Sequence, residues 1–153
     1  MQRPPRDPRK PLLTFALAMR TGLVSILMLA GAYWLFLQEI QEGGSTAAAR
    51  TGVINVIVLV EIAYLLNCRS LTHSYFSVGL FSNPWLVSGV LAMLAAQLLF
   101  TYVPLMNTLF HTAALGGESW LRIIGVAAVV FVVVEIEKWM RYGHGRSDRD
   151  VPE

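Results

Sequence analysis

Four apolar runs of near membrane-crossing length, at 21–38, 51–67, 85–103 and 120–139, constrain this 153-residue chain more than any other feature. A helix advances ~1.5 Å per residue and needs about 20 apolar residues to cross a hydrocarbon core roughly 30 Å thick. The expected fold class is therefore an all-α integral membrane protein, a four-transmembrane-helix bundle. Composition agrees, with 55% hydrophobic and 14% charged residues against about 25% charged in an ordinary soluble domain. The runs leave no room for a separate soluble catalytic domain of about 100 residues or more.

The second run, RTGVINVIVLVEIAYLLNCRS from Arg50 to Ser70, holds a carboxylate, Glu61, in its interior. As a helix, Thr51 to Asn67 spans about 25 Å, with Glu61 about 15 Å from one end and about 9 Å from the other. A charge at such depth costs on the order of 2.5–3.5 kcal/mol on insertion scales, so Glu61 is expected to face protein. At 100° per residue, Ile57, Glu61, Tyr64, Leu65 and Cys68 share one stripe, which sets a hydroxyl one turn from the carboxylate. Two readings stay open at this point. Glu61 binds a cation or carries a proton, or it is protonated or hydrogen-bonded and fixes packing only. The lone Cys68 excludes an intrachain disulfide and reads as a small buried residue. His73, His111 and His144 are too scattered for metal-ligand spacing.

Along the chain, 1–20 reads as a basic, Pro-rich cytoplasmic flank with an interfacial turn from Leu12 to Arg20. A signal peptide is not expected, because the apolar run continues through Trp34 to Leu37 and no soluble mature domain follows. Ala18, Gly22, Ile26 and Ala30 recur every fourth residue, a seam that lets another helix approach. Tyr33 and Trp34 suit the far interface. The segment 39–49, with Glu39, Glu42, Gly43, Gly44 and Ser45, reads as a polar, flexible loop. Asn67 to Pro84 contains a turn, FSNP at Phe81–Pro84, that launches the third span. Gln97 lies inside that span, and Pro104 ends or kinks it. The four-span domain is taken as 21–142 and the remainder, 143–153, as a disordered cytoplasmic tail.

Orientation follows from the basic residues. With both termini cytoplasmic, ten of the twelve Lys and Arg lie inside, and only Arg50 and Arg122 outside, a strong positive-inside asymmetry. At the inner end of the fourth span, Glu135 precedes Lys138 by three residues and Glu137 precedes Arg141 by four. Both spacings allow helical ion pairs, with long side chains snorkelling to the interface.

The blocks RPPRDPRKPLL, RTGLVSILMLAGAYWLF, VEIAYLLNCRSL, GLFSNPWL, FTYVPLMNTLFHTAAL and VEIEKWMR, in this order, resemble the carboxy-terminal region of the P-type cation-transporting ATPases, in particular bacterial relatives of the calcium pumps. The likeness runs from about Arg3 to Arg141 and rests on collinearity. It implies that these spans are the last four of ten membrane helices, with both ends cytoplasmic. It further implies that Glu61, on the eighth helix, helps coordinate the transported cation, calcium or another, since one glutamate does not choose between calcium, magnesium, sodium and protons. Tyr64 falls where the family often has a polar ligand, a weaker second contact. Glu135 and Lys138 fall on an acidic and basic pair with a structural role. The multi-pass location implied is the plasma (inner) membrane.

The Asp-Lys-Thr-Gly-Thr phosphorylation motif and the Thr-Gly-Glu actuator loop of that family do not occur in the sequence. The chain alone is therefore expected to have no catalytic residue, to hold no cofactor and to be no ATPase. Its expected partners are the lipid bilayer and the remaining helices and cytoplasmic domains of a pump, with no nucleic acid. On this reading it is a fragment, a split-gene product or a remnant. Two other classes remain beside it, a self-contained four-span cation- or proton-coupled carrier built on Glu61 and a non-transporting scaffold subunit.

Overall fold

The computed structural model of the chain describes residues 15–68 and 84–142. The basic flank before Phe15, the start of the FSNP turn and the tail expected to be disordered lie outside the described residues. Among the described residues five helices follow one another: α1 Phe15–Gln41, α2 Thr46–Cys68, α3 Pro84–Tyr102, α4 Pro104–Phe110 and α5 Gly117–Tyr142. All but α4 are long and apolar enough to cross a membrane. The chain is thus an all-α, four-span bundle, and each crossing helix contains its expected apolar run, save that α3 stops at Tyr102.

The stop has a simple cause. Val103 is extended, and Pro104 opens α4, where a missing N–H is harmless and φ is already helical. The connection between α1 and α2 differs from expectation, being a tight turn of Glu42 to Ser45 instead of a flexible loop over 39–49. Gly43 takes φ +82°, the Gly44 amide donates to the Glu39 carbonyl at 2.8 Å, and the Gly43 amide donates to the Ile40 carbonyl at 3.2 Å. These are the paired bonds of a left-handed helix C-terminus, which glycine adopts without a Cβ clash. Ser45 then caps α2, its Oγ accepting from the Ala48 amide at 3.1 Å.

Helix α2 lies against both α1 and α5, while α3 touches the bundle chiefly through α2. Two apolar clusters fill the three-helix core. One joins Val24, Val60, Ala127, Val130 and Val134; the other joins Ala32, Leu35, Val56, Leu115 and Ile123. The close approaches occur at Gly52, whose added Cβ would meet Leu35 Cδ2 at 2.6 Å, and at Gly31, which Val126 fills. The Ala18, Gly22, Ile26, Ala30 seam is exposed instead. Helix α3 buries only Gln97 and Thr101, both in its C-terminal half.

Lys138, near the α5 C-terminal end, and Arg20, which faces that end from α1, are buried. Arg20, expected on the flank, is 4% exposed, because α1 begins at Phe15 and carries it onto the face toward α5. Its Nε and Nη2 both lie 2.8 Å from Glu137 Oε2, so Glu137 pairs across helices with Arg20. Lys138 is 3% exposed and does not snorkel. Its Nζ donates to the Asn67 carbonyl of α2 at 2.6 Å and stands 3.2 Å from Glu135 Oε1. A buried ammonium is tolerable only with such partners.

Candidate functional site

Helix α2 organises the site because its faces have different neighbours. Ala49, Thr51, Gly52, Asn55, Val56, Val60, Ile62 and Asn67 are buried, whereas Ile54, Glu61 and Leu65 are exposed. The last three lie within about 60° of one another around the helix. Glu61 therefore stands on the face of α2 that the described helices leave uncovered. Among the described residues the expectation that it faces protein is not met, and no hydrogen bond or ion pair reaches it.

Tyr64 sits at the edge of that face. Its ring packs against the Val24, Val60, Ala127, Val130 and Val134 cluster, and its hydroxyl meets Thr21 and Cys68. It stands on the α1 side, one turn from Glu61. The C-terminal end of α2 is held by the Lys138 Nζ bond to the Asn67 carbonyl, six residues beyond Glu61. The Glu135 and Lys138 carboxylate–ammonium contact belongs to the same clamp.

A second polar group lies toward the other membrane surface. Asn55 Nδ2 donates to the Thr51 carbonyl at 2.9 Å and to Thr101 Oγ1 at 3.0 Å. Thr101 Oγ1 in turn donates to the Gln97 carbonyl at 2.8 Å. Thr51 Oγ1 accepts from the Ala113 amide at 3.0 Å, tying the α4–α5 connection to α2. Asn55 Oδ1 and Gln97 Nε2 are buried without a partner among the described residues. Sequence reasoning noted Gln97 and passed over Asn55 and Thr101. The available signal was an amide inside each apolar run, with Gln97 and Thr101 one helical turn apart.

At that same end Ser119 Oγ donates to Glu39 Oε1, and Arg122 Nη2 reaches Glu42 Oε1 at 2.6 Å. Glu39 and Glu42 were expected in a flexible loop; here they latch α1 onto the start of α5. Among the described residues no group of three His, Cys, Asp or Glu side chains is arranged to hold a metal ion. Glu61 is thus one oxygen donor group, and a hard cation takes six or more oxygens, so further ligands would have to come from elsewhere.

Residues 1–140 match the family model described as "Cation transporting ATPase, C-terminus". The chain is 48% identical over 134 residues to the probable cation-transporting ATPase F of Mycobacterium bovis, covering 88% of this chain and 15% of that protein. It is 30% identical over 156 residues to the calcium-transporting ATPase type 2C member 2 of Mus musculus, covering 100% of this chain and 16% of that protein. Calcium-transporting ATPase 1 of Schizosaccharomyces pombe is 30% identical over 145 residues, 95% of this chain and 16% of its own length. The chain spans about one sixth of these relatives. With the family matched over nearly its whole length and the four crossing helices to go with it, the chain belongs to the P-type cation-transporting ATPases, as their carboxy-terminal membrane domain.

Proposed function

We propose that this domain works as the last four membrane helices of an ATP-driven cation pump of the plasma membrane, with calcium the first candidate for cargo, and that Glu61 supplies one charged oxygen ligand to the transported ion. The remaining helices and the phosphorylation and nucleotide domains are its partners, covering the Glu61 face of α2. Tyr64 is a weaker second contact, because the core holds its ring on the α1 side. The clamp of Lys138 with Glu135 and the Asn67 carbonyl is structural and sets the height of α2.

One observation carries the reading. Glu61 sits in an apolar crossing helix on a face that the described helices leave open, where lipid contact would cost on the order of 2.5–3.5 kcal/mol. A face of that kind is explained if other helices and a cation complete it. In a pump assembled from this domain and the missing parts, Glu61→Gln keeps size and one carbonyl oxygen but removes the charge that offsets ion dehydration. Ion-dependent phosphorylation should then need about tenfold or more cation, a loss of ~1.4 kcal/mol, while thermal stability in detergent stays near wild type. Unchanged ion affinity would assign Glu61 to packing and remove the ligand role.

A further inference from the structure

Between α1 and α5 runs an apolar groove of about 420 Å³, lined on α1 by Gly31 and Trp34 and on α5 by Arg122, Gly125, Val129 and Val130. From Arg122 to Val130 the groove follows about 12 Å of helix, most of one leaflet of a core roughly 30 Å thick. Its floor is open at Gly125, where an added Cβ would meet nothing within 4 Å. Its rims carry Trp34 and Val129, large and exposed. A second helix is about 10 Å across with its side chains, whereas a single acyl chain is narrower.

The charges at the groove's mouth select the head of the amphiphile. Arg122 spends Nη2 on Glu42 Oε1 at 2.6 Å and holds Glu118 Oε2 at 3.7 Å; no partner of its Nε or Nη1 is found among the described residues. Each of those donors can give a phosphate oxygen a charge-assisted hydrogen bond. Glu118, 85% exposed, stands beside the guanidinium and suits a cation. One guanidinium against two carboxylates leaves the mouth negative, which disfavours an anionic lipid and favours a head carrying both charges. We propose that this groove binds a zwitterionic phospholipid with a primary ammonium, a phosphatidylethanolamine. Its phosphate lies on Arg122, its ammonium on Glu118 and one acyl chain over Gly125.

The test uses the 153-residue chain in nanodiscs of equimolar phosphatidylethanolamine, phosphatidylcholine and phosphatidylglycerol, extracted into mild detergent, with co-purifying lipid counted by native mass spectrometry. Phosphatidylethanolamine should be retained about fivefold over phosphatidylcholine, whose quaternary ammonium donates no hydrogen bond to Glu118, equivalent to ~1 kcal/mol. It should be retained more strongly still over phosphatidylglycerol. Glu118→Gln, at an exposed position outside the core, should abolish the preference between the first two lipids without loss of stability. Gly125→Leu should fill the groove and expel lipid of every head type. Equal retention of the three lipids by wild type, or a preference unchanged in both variants, would reduce the groove to ordinary lipid contact. A co-purified single-span protein cross-linking through Gly125→Cys in place of lipid would overturn the proposal as well.

Discussion

Lys138→Met separates a backbone clamp from a simple ion pair. Methionine keeps the unbranched stem of lysine and deletes its charge, so packing changes little. The wild-type Nζ bond to the Asn67 carbonyl is 2.6 Å long, shorter than the 3.2 Å contact with Glu135, and Lys138 is 3% exposed. A charge-assisted bond to a buried carbonyl is worth about 1.5–3 kcal/mol. A cation at the last turn of a helix adds about 0.3–1 kcal/mol through the dipole. Hydrogen bonds between membrane helices average only about 0.6 kcal/mol because the unfolded helices find other partners, which pulls the sum down. The expected loss for Lys138→Met is therefore about 2–3 kcal/mol, read as the shift in an SDS titration of helicity in mild detergent. Glu135→Gln leaves the Lys138 bond to Asn67 intact and should cost about 1 kcal/mol or less. Equal losses for the two variants would refute the clamp, since they would mean that the carboxylate carries the interaction.

Other substitutions test other contacts. Gly52→Ala should cost about 1–3 kcal/mol by overpacking, because its Cβ would meet Leu35 Cδ2 at 2.6 Å and Leu35 is fully buried; Gly22→Ala, with open space around it, should be neutral or slightly stabilising in the same titration. Asn55→Leu and Thr101→Val each should lower stability by about 1 kcal/mol, and a double-mutant cycle should return a coupling of ~0.6–1.7 kcal/mol for the bond that docks α3; zero coupling would detach the polar cluster from helix docking. The positive-inside asymmetry predicts that Ser45→Cys, at an exposed position in the α1–α2 turn, reacts with an impermeant maleimide from outside intact cells, and labelling from the cytoplasmic side alone would overturn the orientation.

The crossing helices were legible because apolar length decides them, and the turn at Gly43, Gly44 and Ser45 had its chemistry written in residue types. Its tightness was missed because Glu39 and Glu42 look like loop residues until Ser119 and Arg122, eighty residues later, supply their partners. Arg20 was misplaced for the same reason. A basic residue beside a basic flank reads as interfacial, and only the packing of α1 on α5 turns it toward Glu137. Asn55 gave a weak signal, a single amide in a run of valine and isoleucine, and its meaning depends on Thr101 of a helix far off in sequence. Local chemistry fixes elements and turns, whereas cross-helix partners depend on the packing that follows.

That difference also explains why Glu61 could be found by sequence but its surroundings could not. In the folded domain, burial and partnership of charge go together: Arg20 with Glu137, Lys138 with Glu135 and the Asn67 carbonyl, Glu39 with Ser119. Each sits where two of α1, α2 and α5 meet, so the cost of burial is offset by a neighbour in the same chain. Glu61 departs from the pattern on both counts, exposed and without a partner among the described residues. A carboxylate whose only task was to lock this bundle would lie on the faces of α2 that α1 and α5 cover. Its place on the open face is what the proposed ligand role requires, with the partner supplied by another helix of the pump or by the cation that such a helix helps to hold.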